Sequence, residues 1–576
     1  MAWLSITTNT KILSRWDILE QHSEILRTKL LDSNQTPVYI KTVYVCGFED
    51  FEKIQSVLNN LKGHHIGKVI FDEKYPDEQT QASTSDHMVV SVFEMLTPFF
   101  SQNTIDRIEL NTITITVELL RSLFVITNTY DIKTVVFDYV NFSDIDADFD
   151  HTSNVIGLPI NANNLGLQNR GCIHLKLRYQ RHHPNPMLLN IIGYYLLCYD
   201  RLEKLSVRCS DDERAFDVCW NSFWKLVGNG SLRELSLKNT FSGVSIPKSQ
   251  FAELSSSLID CQTLKAISFS GEPDASEFFR NSCIDASFHI ETLKYVDCTV
   301  GTECWNDIAK FIVSQPTLKK LHLANTNLQK LNFFILHEFF EFSNLEEISI
   351  KHCGMHGEHL EMFGFALSKC RFIRYFNMKR NSLKDVNICS FRAFFENNKF
   401  ESLNLARCEI GYDFVAMLCE VFSGSYVREL NLSGNEIFGE PSTIATLKNF
   451  LTRNDVEKLN LKRCGIEKDG FVDLCEQLAD CKSLRSLTLD DNDLSGLTLT
   501  DVDKFPCCVE QYGFYNCKID PDVLFYLLGT KPINFLFVDE TMQDWLTPRI
   551  RAVKNGESEL FRPENISVTI YQQYCW

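Results

Sequence analysis

Hydrophobic residues recur along the chain in one short pattern. The clear copies are LEEISIKHC (345–353), IRYFNMKRN (373–381), FESLNLARC (400–408), VRELNLSGN (427–435), VEKLNLKRC (456–464), LRSLTLDDN (484–492) and VEQYGFYNC (509–517). Each fits L-x-x-L-x-L-x-x-N/C, here numbered positions 1 to 9, and successive starts lie 28, 27, 27, 29, 28 and 25 residues apart. Fainter copies start at Leu202, Leu232, Leu264, Leu293, Leu318 and Ile533, and the faintest at Ile40, Ile66, Ile105, Ile132 and Cys172. Two long spacings near the N-terminus coincide with polar stretches, 72–86 and 143–164, which read as loop insertions. The total is about eighteen units with a period of about 28, at the long end for strand-plus-helix repeats.

Positions 4 and 6 of each copy lie two residues apart, so Leu403 and Leu405 point to the same side of a short strand. Downstream of the strand the period changes. Leu360, Phe363 and Leu367 after Cys353, and Phe471, Leu474 and Leu478 after Cys464, are spaced i, i+3, i+7, with Cys370 and Cys481 continuing each stripe. That is the apolar face of a short helix. One strand and one helix cannot bury their own faces, but stacked copies can. Helices need about 10 Å each and strands about 4.8 Å, so the stack is expected to curve with its strands inside.

Position 9 carries a finer signal. It reads Cys353, Asn381, Cys408, Asn435, Cys464, Asn492, Cys517, a strict alternation. This resembles the ribonuclease-inhibitor-like class of leucine-rich repeats, in which Cys-type and Asn-type units alternate. The resemblance implies an α/β leucine-rich-repeat solenoid, a horseshoe with parallel strands concave and helices convex. The expected organisation is an N-terminal capping helix (1–35), divergent repeats with loop insertions (36–200), regular repeats (201–545) and a C-terminal cap (546–576). Within the caps, residues 10–31 suggest an amphipathic helix, with Ile12, Trp16, Leu19, Leu26 and Leu30 on one face, and ISVTIYQQYCW a final strand. The class further implies a non-enzymatic protein-interaction scaffold or inhibitor without a cofactor. Its other members include Ran-type GTPase activators, substrate receptors of ubiquitin ligases and cytoskeletal or ciliary scaffolds, and fold alone does not choose among them.

Composition narrows the partner. The 576 residues carry 57 Lys and Arg against 75 Asp and Glu, a net charge of −18. Nucleic acid is a poor ligand for such a chain, because its affinity rests on neutralising phosphates. The longest apolar stretch, 189–199, is too short to span a bilayer. The opening MAWLSITTNTK turns polar too soon for a secretory signal, and the 21 cysteines are scattered and odd in number. The expectation is a reducing, cytoplasmic setting with buried free thiols.

Candidate chemistry is sparse. The chain has no P-loop, G-x-S-x-G, H-E-x-x-H or C-x-x-C, so no catalytic residue is assigned. His352, His356 and His359 near Cys353 have metal-like spacing, but a thiol ladder with histidines at the turn explains them better. Asp144, Asp146, Asp148 and Asp150 alternate like a calcium loop but lack its Gly and Glu, with Phe149 and Val155 in those places.

The expected binding surface is the strand face. Position 5 supplies small polar residues, including Asn377, Asn404, Asn431 and Asn460. Positions 7 and 8 supply Lys351–His352, Lys379–Arg380, Arg407 and Lys462–Arg463, and Tyr375 and Tyr515 are aromatic anchors. A basic cluster on so acidic a chain would steer a protein partner with an acidic surface. The competing account is neutralisation of these cations by Glu401, Glu429 and Glu457.

Overall fold

The structure is a computed structural model. It describes residues 3–8, 11–12, 39–40, 42–46, 63–72, 96–115, 117–142, 174–179, 202–209, 224, 231–240, 247–285, 288–299, 304–387, 389–421, 426–438, 442–479, 481–555 and 569–571. Two compact units are formed, one by Met1–Ile290 with Cys298–Phe311 and the other by Glu291–Asp297 with Ile312–Trp576.

In the first unit the faint N-terminal copies are strands of a parallel ladder. Thr42–Cys46, Val69–Asp72, Arg107–Asn111, Thr134–Phe142, His174–Tyr179, Lys204–Cys209, Glu234–Lys238 and Ala266–Ser270 pair in chain order. Positions 4 and 6 are filled by Val43 and Val45, Val69 and Phe71, Ile108 and Leu110, Val135 and Phe137, all with no exposed surface. Burial of each is worth about 1.5–3 kcal/mol, which a lone strand open on both flanks would forfeit. At the N-terminal edge, Trp3–Thr8 runs antiparallel to Thr42–Cys46, and Lys11–Ile12 folds back on Thr7 and Thr8. Ile12, expected on a helix, is therefore in a strand. The remainder of the expected capping helix, 13–31, lies outside the described residues.

The second unit repeats the arrangement more regularly. Its strands are Thr292–Val296, Lys320–Ala324, Glu347–Ser349, Tyr375–Asn377, Phe400–Asn404, Val427–Asn431, Lys458–Asn460, Ser486–Thr488, Gln511–Gly513, Phe535–Phe537 and Thr569–Tyr571, each parallel to the next. The last is the strand expected from the C-terminal tail. Helices Glu358–Leu367 and Lys468–Leu478 bury the expected stripes, Leu360, Phe363 and Leu367 in one and Phe471, Leu474 and Leu478 in the other. Cys370 and Cys481 are buried just beyond the helix ends rather than on the helices.

Register corrects one repeat. Leu293 pairs with Leu321, a position-4 residue, so it occupies position 4 and not position 1. Ile290 takes position 1, and Asp297 and Cys298 take positions 8 and 9. Apolar residues three apart, Ile290 and Leu293, fit the motif in either frame; the buried Tyr295 at position 6 decides it.

Position 9 locks neighbouring repeats together. Asn381 Oδ1 accepts from Cys353 N (3.0 Å) and Met355 N (3.3 Å), while its Nδ2 donates to Ile350 O (2.7 Å) and Met378 O (2.8 Å). Asn435 makes the same four bonds one two-repeat unit later, to Cys408 N, Ile410 N, Leu405 O and Leu432 O. The thiols reach back in turn, Cys353 Sγ to Leu323 O and Cys408 Sγ to Met378 O. Upstream, Glu272 stands in the acceptor place and takes a bond from Thr240 N (2.7 Å).

Candidate protein-binding surface

The buried ladder leaves little for metal or thiol chemistry. Burial pushes the Cys353, Cys408, Cys464 and Cys517 thiols up to about 12, far from a reactive thiolate. Around Cys353, His352 Nδ1 lies 3.2 Å from Asn325 Oδ1, and His356 Nε2 lies 3.1 Å from the Gln329 amide. The His356 and His359 ring centres are 6.1 Å apart at 79°. Among the described residues no group of three ligating side chains could hold a metal ion. The Asp144–Asp150 stretch lies outside the described residues.

The asparagine column at position 5 is committed to the backbone. Asn377, Asn404, Asn431 and Asn460 each accept through Oδ1 from the peptide N–H two residues on, at 3.1, 3.1, 3.0 and 3.0 Å. Each such turn ends its strand and aims positions 7 and 8 out of it. Asn431 and Asn460 are only 7% and 3% exposed, which corrects their assignment to the contact surface. Asn377 and Asn404 are half-buried and keep an edge on it.

Position 8 is a left-handed column. φ is 55° at His352, 62° at Arg380, 54° at Arg407 and 53° at Arg463, and Asn325, Gly434, Asp491 and Asn516 hold the same conformation in other repeats. Gly, Asn and Asp suit that region; arginine does not, so each basic residue there is kept at a local conformational cost. Gly434 makes room for its neighbour: a Cβ there would lie 2.7 Å from Arg407 Cγ.

The carboxylates expected to neutralise the cations are engaged elsewhere. Glu401 takes Arg374 (3.0 Å) and Arg428 (3.8 Å), Glu457 takes Arg428 (2.9 Å), and Glu429 takes Lys458 (2.7 Å). The arginines are position-2 residues, and that column alternates in sign, with Glu291, Lys319, Glu346, Arg374, Glu401, Arg428, Glu457, Arg485 and Glu510 in succession. The alternation keeps step with the Cys and Asn types. It was legible in the chain as a charge pattern of two-repeat period, and a hydrophobic search passes over it.

The basic positions then divide. Lys462 Nζ lies 3.0 Å from Asp491 Oδ2 and 5.9 Å from the centre of the Tyr515 ring, and Arg463 Nε lies 3.0 Å from Asp491 Oδ2. Lys351, Lys379, Arg380 and Arg407 have no carboxylate of the described residues at ion-pair distance. Burial, and then the charges of Lys351, Arg407, Arg380 and Lys462, hold the Lys379 ammonium below the ordinary lysine value. Tyr375, on the strand beside this group, is 44% exposed.

No protein-family model matches the chain. Pig (Sus scrofa) ribonuclease inhibitor is 22% identical over 272 residues, 46% of this chain and 59% of the inhibitor. The mouse (Mus musculus) NACHT, LRR and PYD domains-containing protein 4E is 23% identical over 243 residues, 39% of this chain and 25% of that protein. These matches and the alternating Cys–Asn ladder agree. The chain is built from leucine-rich repeats of the ribonuclease-inhibitor-like kind.

Solved structures similar to this leucine-rich-repeat chain include a TLR13–ssRNA13 complex (TM-score 0.42, 12% identity, 92% of this chain and 78% of that one) and a yeast Rad7–Elc1 complex (TM-score 0.33, 16% identity, 62% and 84%). The chain spans between a fifth and three fifths of the length of the curated relatives it matches. Among its described residues no helix is long and apolar enough to cross a membrane.

One feature of the strand face escaped the sequence reading. In the first unit Lys133, His174, Lys176, Lys204 and Glu234 line a cavity of about 400 Å³. Burial, and then the charges of Lys176 and Lys204, bring the His174 imidazole down to about 4, with Glu234 opposing. Lys204 is paired with Glu234 at 2.6 Å. The faint repeats at Ile132 and Cys172 fixed where these side chains stand, but nothing in the motif marked them as a group.

Proposed function

We propose that this protein is a non-enzymatic interaction scaffold or inhibitor, working in a reducing cytoplasm, that holds a protein partner with an acidic surface on the strand face of repeats 345–408. The observation that carries this reading is the group Lys351, Lys379, Arg380 and Arg407, left without carboxylate partners among the described residues on a chain of net charge −18. Neighbouring columns pair their charges; these four residues have no such partner among the described residues. Such a patch concentrates field and speeds encounter with an acidic partner. The rigid ladder beneath adds little ordering cost on binding. Two arginines held in the left-handed region add weight, since strain of this kind clusters at functional positions. Tyr375 supplies an amphipathic contact beside the charges, and Asn377 and Asn404 border them.

The test is capture of the physiological partner by wild type and by the quadruple variant Lys351→Glu, Lys379→Glu, Arg380→Glu, Arg407→Glu. Loss of capture with an unchanged melting temperature supports the reading. Undiminished capture by the folded variant overturns it.

A further inference from the structure

The protein contains its own example of an occupied basic pair. Lys462 and Arg463 fill positions 7 and 8 of one repeat, and Asp490 and Asp491 fill the same positions of the next. Asp491 Oδ2 lies 3.0 Å from both Lys462 Nζ and Arg463 Nε, and Asp490 Oδ2 lies 3.8 Å from Lys462 Nζ. Backbone geometry sets this up: Asn460 Oδ1 caps Lys462 N at 3.0 Å, Arg463 has φ of 53°, and Arg463 N donates to Asp490 O at 3.0 Å.

Lys379 and Arg380 repeat every element of that arrangement except the acids. Asn377 Oδ1 caps Lys379 N at 3.1 Å, Arg380 has φ of 62°, and Arg380 N donates to Ala406 O at 2.9 Å. Where the template has Asp490 and Asp491, this repeat meets Ala406 and Arg407: a methyl group and another cation. Lys351 and His352 flank it on the other side.

We infer that Lys379 and Arg380 receive two successive carboxylates from the partner, an Asp-Asp pair in a turn whose second Asp is left-handed, in the way Lys462 and Arg463 receive Asp490 and Asp491. The inference rests on the reading of this face as a site for an acidic protein and names the group recognised. Two neighbouring acids are inferred because Asp491 Oδ2 bridges both cations at 3.0 Å and Asp490, next to it in the chain, adds a longer approach to Lys462 at 3.8 Å. A basic pair met by neighbouring acids discriminates by their spacing as well as by charge.

The experiment uses the full chain and three fluorescent peptides of equal length, a Gly/Ser segment carrying Asp-Asp, one carrying Asp-Gly-Gly-Asp, and one carrying phosphoserine. The expected result is saturable binding of the Asp-Asp peptide, several-fold tighter than either of the others. That binding falls at least tenfold with Lys379→Gln/Arg380→Gln. In Asp491→Asn, which keeps an acceptor for Asn516 Nδ2, a second equivalent binds at the freed Lys462–Arg463 pair. Equal binding of the first two peptides, preference for phosphoserine, or unchanged stoichiometry in Asp491→Asn overturns the inference. If the quadruple Glu variant still loses its partner while the Asp-Asp peptide fails to bind, the inference falls and the acidic-partner reading stands.

Discussion

Asn492 spends its side chain on the turn that carries Cys464. Its Oδ1 accepts from Cys464 N (3.0 Å) and Ile466 N (3.1 Å), and its Nδ2 donates to Leu461 O (2.9 Å) and to Leu489 O (2.6 Å). Both residues are almost wholly buried, so no water replaces a lost partner. Asn492→Ala strands two buried N–H donors and two carbonyls, at about 1–3 kcal/mol for an unsatisfied group, and is expected to cost about 3 kcal/mol or more. Cys464→Ala removes a weak donor and a small volume and is expected to cost about 1 kcal/mol. Urea unfolding of the two variants checks the ranking; equal costs would show that the asparagine is not the lock.

Thiol reactivity separates two classes of cysteine. Cys389 and Cys507 are exposed. Cys353, Cys408, Cys464 and Cys517 are buried, with thiols pushed up to about 12. A disulfide reagent at neutral pH is expected to modify Cys389 and Cys507 within minutes and the ladder thiols only as the repeats unfold. Peptide mapping of native, labelled protein reads this directly, and early labelling of Cys408 would contradict the packing described.

The alternating position-2 column predicts a charge rescue. Arg428 lies between Glu401 (3.8 Å) and Glu457 (2.9 Å). Arg428→Glu puts three like charges in a row and should lower the urea midpoint, the more so at low salt. Changing Glu401 and Glu457 to Gln in the same protein should recover part of the loss, because it removes the like charges without setting a second arginine beside Arg374 or Arg485. Failure of the triple variant to recover would mean that sequence order, not charge order, holds the column.

Lys379 gives a pH signature. Its folded pKa lies below the ordinary lysine value of 10.5, first through burial and then through the surrounding cations. Between the folded value and 10.5 the unfolded chain binds the proton and the folded chain does not, so folding stability contributed by this group rises with pH across that window. An acidic ligand reverses the local field and raises the folded value, so affinity should fall as pH climbs through it. Lysine-specific NMR titration with and without the Asp-Asp peptide checks the shift; a ligand-bound Lys379 that titrates no higher than the free one would contradict it.

Much of this was legible in the chain because solenoid repeats print their geometry at one period. Val135 and Phe137, in one of the faintest copies, fall on the same buried positions as Leu403 and Leu405 in a clear one. Ile290 and Leu293 show where apolar spacing alone is ambiguous: either can open the motif, and the pairing of Leu293 with Leu321, together with the buried Tyr295, resolves the frame. The site was harder to read. Asn431 and Asn460 were visible as a polar column, but their use as backbone acceptors depends on turn geometry. Lys462–Arg463 and Lys379–Arg380 are identical as dipeptides, and what separates them, Asp490–Asp491 against Ala406–Arg407, stands a whole repeat away in sequence.

On this proposal, the cations of repeats 345–408 that lack carboxylate partners among the described residues capture an acidic partner. Its most direct test is the association rate of the purified partner, measured across ionic strength with wild type and with the Lys351→Glu, Lys379→Glu, Arg380→Glu, Arg407→Glu variant. The expected result is a wild-type rate that falls steeply with salt, and a variant at least tenfold slower at low salt with a flat or inverted dependence. Matching rates and matching salt slopes for the two proteins would contradict it.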